Sequence, residues 1–369
     1  MKILHVISDT NIGGAGILLL NLLRHFDPSE VESLVALPRG SDLRPRIEAL
    51  SVRTVALDAP CERFSRTSIH ELSEIIRREQ VDIVHANAAL SARIAAKKQN
   101  IKTIHTRHCY YPLRGSLWKR CFLGPWNNAL SDLVIATAEV AAENLHSLGI
   151  PAEKIRVIPN GSLPVREVGA EELTNCRALW KIPTNAFVVG LCARLEPCKG
   201  QDVLLRALQR MNKMKPHSRV FALFIGTGSW ESELKAMAKD LGIANRVCFT
   251  GFLKDVAPAY RSMRVNVNCS RGTETSCLAL SEGMSAGLPM VVSDYGGNPA
   301  MVGKSRAGIL FPLNDDEQLA RILLQIEEDP ALERSMQQAA YQRYAAHYTA
   351  RRMAEETTRV YREVLQEKR

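Results

Sequence analysis

Residues 270–289 read SRGTETSCLALSEGMSAGLP, and the fold follows from what stands on either side of them. Val265 to Cys269 ahead of the stretch and Pro289 to Ser293 behind it are short apolar runs with the look of buried strands. Between them lie a polar, turn-rich loop and a helical pattern running through Leu280 to Ala286. A strand, a loop, a helix and a second strand in close succession form the repeating unit of a parallel sheet wrapped by helices.

The same alternation extends outward in both directions. Upstream, Phe187 to Cys192, Val220 to Ile225 and Arg246 to Thr250 read as further strands of one series. An earlier series comprises Lys2 to Ser8, Val31 to Leu37, Val52 to Leu57, Asp82 to Ala86, Lys102 to Thr106 and Leu133 to Ala136, with helices such as Ile69 to Arg78 and Ala88 to Lys98 between them. The turn-rich Ile158-Pro159-Asn160-Gly161-Ser162-Leu163-Pro164 separates the two series. The expected organisation is therefore α/β, with two doubly wound parallel-sheet domains over residues 1–163 and 164–348. A last amphipathic helix, about 349–369, carries Met353, Thr357, Val360, Tyr361 and Leu365 on one face and is expected to pack back on the first domain. Such sheets bind ligands beyond the carboxyl ends of their strands, so a crevice between two facing domains is the expected site.

Composition narrows the function. The chain has 369 residues, 46% hydrophobic and 24% charged, with a formal charge of +9. Its apolar runs, such as Ile17 to Leu20, are far shorter than the ~20 residues of a membrane span. The opening Met1-Lys2-Ile3-Leu4-His5-Val6-Ile7 meets the polar Ser8-Asp9 at once and reads as a strand rather than a signal peptide. Nine cysteines without a Cys-x-x-Cys pair point away from zinc and from a secreted disulfide framework, and toward the cytosol. From Ile83 to Ser131 no Asp or Glu occurs, while Arg93, Lys97, Lys98, Lys102, Arg107, Arg114, Lys119 and Arg120 alternate with Tyr110, Tyr111, Trp118, Phe122 and Trp126. Residues 93–126 are thus a candidate surface for anionic lipid on the inner face of the plasma membrane; nucleic acid is not expected as a partner.

Within the opening stretch, Glu274 and Glu282 are separated by seven residues. If Thr275 or Ser276 caps the helix, Glu274 lies in the loop before it and Glu282 about two turns inside. The helix N-terminus, with its free N–H groups, then suits a diphosphate, and Glu282 a ribose diol. Taken alone, the pair reads as an amphipathic helix with two solvated glutamates. Its context is more telling. Gly190-Leu191-Cys192-Ala193-Arg194-Leu195-Glu196-Pro197-Cys198-Lys199-Gly200, Ile225-Gly226-Thr227-Gly228, Val247-Cys248-Phe249-Thr250-Gly251-Phe252 and Ser293-Asp294-Tyr295-Gly296-Gly297-Asn298-Pro299 occur in order around it. In the first half, Gly13-Gly14-Ala15-Gly16 follows the opening strand.

These segments together resemble the retaining glycosyltransferases of family 4, whose Glu-x7-Glu motif matches Glu274 to Glu282 and whose fold is GT-B. The resemblance implies that Arg194 and Lys199 bind the donor diphosphate and that Glu274 and His105 meet the donor sugar. It further implies donor contacts from Gly13, Gly14, Gly251, Phe252, Thr275, Ser276, Cys277, Leu278 and Glu282, with the backbone near Gly251 and Phe252 against the nucleobase. No metal ion or other cofactor is expected: His85, His105 and His108 have no cysteine or carboxylate to complete a ligand set. The implied activity is sugar transfer from a nucleoside diphosphate sugar, a UDP-sugar ahead of a GDP-sugar, to a hydroxyl. The acceptor expected is a lipid-linked or other glycan of a bacterial cell envelope, such as a polysaccharide or lipopolysaccharide intermediate. A sugar-nucleotide epimerase of the same fold, or a relative that binds nucleotide without turnover, are the alternatives. The sequence departs from the family at Thr275-Ser276-Cys277, where Gly-Phe-Gly is usual after the first glutamate, and at Ala300, where an acidic residue is usual.

Overall fold

The computed structural model describes residues 1–10, 12–59, 64–87, 89–109, 125–126, 128–272 and 274–366. The chain divides into two units, Met1–Ser162 with Thr349–Arg369, and Leu163–Tyr348.

The first unit carries a seven-stranded sheet in the order β3-β2-β1-β4-β5-β6-β7. Its strands are β1 (Lys2–Ile7), β2 (Glu32–Pro38), β3 (Arg53–Leu57), β4 (Ile83–Asn87), β5 (Lys102–Arg107), β6 (Leu133–Ala136) and β7 (Ile155–Val157). All pairings are parallel. The central strands are buried on both faces, as parallel sheets require, and this is why they read as continuous apolar runs. The edge strand β7 is only three residues long and half-buried, and the sequence pattern gave no sign of it.

The second unit has a six-stranded parallel sheet in the order β10-β9-β8-β11-β12-β13. Its strands are β8 (Phe187–Cys192), β9 (Val220–Ile225), β10 (Val247–Phe249), β11 (Val265–Asn268), β12 (Met290–Ser293) and β13 (Gly308–Phe311). Here too an edge strand, β13, escapes the pattern, because its Leu310 faces solvent. The strand order reverses beside β8. The chain moves from β8 out to β9 and β10, then returns to place β11 on the other side of β8. The connections after β8 and β11 therefore run to opposite sides of β8 in the strand order, and the loops that begin them border a crevice at the carboxyl edge of this one sheet.

The last helix, Ala350–Gln366, belongs to the first unit. Met353, Thr357, Val360 and Tyr361 are buried on it as the periodicity requires, but Leu365 is exposed and Val364 takes the inner position. Tyr361 is fully buried. Its hydroxyl lies 2.6 Å from His85 Nδ1, and His85 Nε2 lies 2.6 Å from Thr106 Oγ1. A neutral imidazole donates at one nitrogen and accepts at the other, so this chain satisfies every member. Burial and the neighbouring His5 keep His85 well below its ordinary pKa. Gly161 allows the chain to close on itself here. A Cβ at this position would come within 2.4 Å of the Thr349 carbonyl, and Ala350 N–H donates to Ser162 O at 2.9 Å.

The acid-free segment does not present all its charges to solvent. Arg93 is buried, with Nε donating to Ser131 Oγ at 3.1 Å. Lys97 and Lys102 turn toward Asp132, at 3.0 and 3.9 Å. Lys98 and Trp126 are exposed, while residues 110–124 lie outside the described residues. The expected cationic surface over 93–126 thus loses three of its members to internal contacts.

Tyr361→Ala should destabilise the first unit by ~3–5 kcal/mol, the range for removing a large buried aromatic side chain, read by urea denaturation. A loss below ~1 kcal/mol would show that the final helix is not part of this core.

Candidate functional site

The loops beyond β8 and β11 are built to lie together. After β8 the chain runs through Ala193 to a short turn, Pro197–Lys199, and enters the helix Gln201–Met214 at Gly200. Gly200 has φ +71°, and a Cβ there would sit 2.1 Å from the Cys269 carbonyl oxygen. Both the left-handed backbone and the close approach demand glycine. Arg271 N–H donates to Cys198 O at 2.9 Å, so the loop after β11 runs against the turn bearing Lys199. The outcome is a contact across the crevice: Lys199 Nζ donates to Glu274 Oε2 at 2.5 Å. Both side chains are partly buried. The Lys199 ammonium is pushed down by burial but raised overall by Glu274.

The loop after β12 holds Glu274 from the other side. Gly297 N–H donates to Glu274 O at 3.0 Å, and a Cβ at Gly297 would fall 1.5 Å from the Thr275 carbonyl oxygen. Beyond Glu274 the helix begins later than the sequence implied. Its N-cap is Cys277, not Thr275 or Ser276, and it spans Leu278–Ser285. The helix has no side-chain cap, its Leu280 N–H donates to the Cys277 carbonyl at 3.2 Å, and its first turn holds no acidic residue. The positive end of this helix is therefore weakly compensated and points beyond the strand ends.

With the later start, Glu282 lies little more than one turn inside the helix rather than two. Its Oε2 accepts from Tyr260 Oη at 2.9 Å. Burial pushes its carboxyl up to about 7, partly offset by the Tyr260 hydroxyl. The thiol of Cys192, at the end of β8, is pushed up to about 12 by burial and then by Glu282. By linkage, the folded chain keeps a proton on Glu282 that the unfolded chain releases above its ordinary pKa of 4.5. Glu282 therefore costs stability as pH rises from there to about 7, and no further above that.

The other expected residues of this half surround the same sheet edge. Arg194 is exposed, and among the described residues its guanidinium makes no ion pair. Gly226 has φ +127°, and a Cβ there would sit 2.2 Å from the Ala193 carbonyl oxygen. Its N–H donates to Gly251 O at 3.0 Å. Phe252 follows, two-thirds exposed at 66%. Arg194, Lys199, Gly251, Phe252, Glu274, Thr275, Ser276, Cys277, Leu278 and Glu282 are all placed in, or just after, the loops that follow β8, β10 and β11.

In the first unit the three glycines after β1 separate by role. Gly16 is a packing residue, since a Cβ would lie 2.7 Å from Leu43 Cδ2. Gly13 would meet only Asp9 Oδ2, at 3.9 Å, and Gly14 nothing within 4 Å. Neither has a positive φ, and among the described residues no close approach of the kind seen at Gly16 requires glycine at either position. The helix Gly14–His25 starts here without a side-chain cap or an acidic first turn.

His105 lies inside β5, which continues to Arg107, and its buried side chain lines a cavity with Arg93, Arg107, Val134 and Leu145. Burial, then those two guanidinium groups, hold it well below its ordinary pKa. His108 instead lies just beyond β5, with Nε2 3.2 Å from Oδ1 of Asn87, the last residue of β4. Counting past the end of the strand would have singled out His108, as would the rule that ligands gather at carboxyl edges.

Residues 12–162 match the family Glycosyltransferase Family 4, and residues 175–343 match Glycosyl transferases group 1. The chain is a glycosyltransferase of the GT-B type. It is 26% identical to the UDP-Gal:alpha-D-GlcNAc-diphosphoundecaprenol alpha-1,3-galactosyltransferase of Escherichia coli, over 76% of each chain. To the D-inositol 3-phosphate glycosyltransferase of Stackebrandtia nassauensis it is 26% identical, over 77% of this chain and 69% of that one. Its fold is similar to that of Anabaena Alr3699/HepE, solved in complex with UDP and glucose, with a TM-score of 0.85, 22% identity and coverage of 98% and 99% of the two chains.

Replacing Tyr260 by Phe removes the one hydrogen bond that lowers the Glu282 carboxyl. Its titration midpoint, followed by isotope-edited infrared spectroscopy, should then rise above about 7; a midpoint that falls or stays would show that the hydroxyl does not reach this carboxylate.

Proposed function

We propose that the chain transfers a sugar from a nucleoside diphosphate sugar, with a UDP-sugar favoured, to a hydroxyl of a cell-envelope glycan or glycolipid, with retention of anomeric configuration. The observation that carries this reading is the Lys199–Glu274 pair at the strand-order reversal, beside the weakly capped helix Leu278–Ser285. That edge offers a cation, a carboxylate and a helix N-terminus within one set of loops.

In this reading the donor diphosphate takes the place of the Glu274 carboxylate on Lys199. The ligand-free site is neutralised from within, and donor binding exchanges one anion for another. Lys199, Arg194 and the amides at the helix start then stabilise the negative charge that grows on the β-phosphate as the glycosidic bond breaks. These groups supply the positive charge for that step, so the reading needs no metal ion. Glu274, once displaced, accepts hydrogen bonds from the sugar hydroxyls. The ionised form of Glu282 accepts from the ribose diol. Phe252, exposed beside Gly251, offers a ring for the base.

Attack on the same face of the sugar lets the departing phosphate take the acceptor proton. No second carboxylate is then needed to form a covalent intermediate, unlike the paired carboxylates of retaining glycosidases. In the first unit, Gly13, Gly14 and His105, with His108 beside it, are the residues we assign to substrate contact.

The Escherichia coli relative, named for a diphosphoundecaprenol-linked substrate, supports a lipid-linked acceptor here. Among the described residues no helix is long and apolar enough to cross a membrane. An enzyme of such an acceptor would meet it at the inner membrane surface, as a peripheral protein.

Lys199→Ala and Glu274→Ala should each fold and lower UDP release from a UDP-sugar with acceptor by ~10²-fold or more, the scale for losing a group that stabilises developing charge. Near wild-type turnover in both would remove this site from the mechanism.

A further inference from the structure

Lys199 and Glu274 are far apart in sequence; β8 and β11 are paired neighbours, but both residues stand in loops beyond that pairing, which alone does not fix their separation. Something must tie the turn after β8 to the loop after β11. Arg271, which the sequence motifs do not single out, occupies that place. Its Nε donates to Pro197 O at 2.9 Å, its Nη1 to Asn314 Oδ1 at 2.8 Å and its Nη2 to Asp202 Oδ1 at 2.7 Å. Its own N–H donates to Cys198 O.

The four contacts reach three other segments. Pro197 and Cys198 belong to the turn that ends in Lys199. Asp202 is in the first turn of the helix that follows, and Asn314 is in the loop after β13. Asp202 is buried and also accepts from Arg206 Nη1 at 2.9 Å. The neighbouring Ser270 completes the seam, its Oγ donating to Cys198 O at 3.3 Å while its carbonyl accepts from Ser293 Oγ at 2.7 Å. A guanidinium can serve three acceptors in one plane because its donors are fixed in a fork. An ammonium at the same position would reach one or two.

We propose that Arg271 is a positioning residue of the donor site: by bolting the Pro197–Lys199 turn to the loop that carries Glu274, it sets the Lys199 ammonium where a diphosphate binds. The proposal rests on the reading of Lys199 as a diphosphate ligand. Arg271 itself is turned toward Asp202 and the turn backbone, and acts on the ligand only through Lys199.

The test is a double-mutant cycle read by UDP affinity and by kcat and KM for UDP release, using Arg271→Ala, Lys199→Ala and the pair together. Arg271→Ala should weaken UDP binding at least tenfold, yet by less than twofold in the Lys199→Ala background, because the side chain it positions is already gone. Arg271→Lys, the gentler change, should lose about as much as Arg271→Ala, and Asp202 keeps Arg206 as partner in either variant. A full, independent loss in the Lys199→Ala background would show that Arg271 only supports the fold and would overturn the proposal, as would wild-type affinity in Arg271→Ala. Wild-type UDP affinity in Lys199→Ala alone would be a different failure, of the donor-site reading itself, and would take this proposal with it.

Discussion

The interaction on which the second unit turns is the charge pair between Lys199 and Glu274. It is partly buried, so it is screened less than a surface pair, and each partner is carried by a loop that leaves the sheet on its own course. The loop glycines make the approach sterically possible. Gly200 lets one loop close on the end of β11, and Gly297 lets the β12 loop lie against the Thr275 backbone. Arg271 then fixes the spacing. An ion pair held this way is a weak source of stability. As a place where an incoming anion can displace a resident one, it is well suited.

The two glutamates of the motif have different surroundings and so different uses. Glu274 faces a cation. Glu282 faces a tyrosine hydroxyl and a thiol in a closed environment that raises its carboxyl to about 7. Between them the helix Leu278–Ser285 begins without a side-chain cap or an acidic first turn, which leaves its positive end weakly compensated.

Much of this was legible in the sequence. Continuous apolar runs marked the buried strands, and the ordered glycines and cations marked the loops at the carboxyl edges. What was hidden had physical causes. The edge strands β7 and β13 are short and half-exposed, so they carry no buried-run pattern. The helix starts after Thr275 and Ser276, where the β12 loop packs against the backbone at Glu274 and Thr275, a contact with a distant segment that no local pattern shows. Val364 replaced Leu365 on the final helix because two neighbours compete for one inner position. Arg271 and Tyr260 act by contacts with distant segments, and no local spacing announces such contacts.

The most direct measurement is a crystal structure of the chain with UDP bound. The account predicts β-phosphate oxygens about 3 Å from Lys199 Nζ and from amides at the start of the helix Leu278–Ser285, with the Glu274 carboxylate moved off Lys199. A diphosphate seated elsewhere, with the Lys199–Glu274 pair still closed, would contradict it.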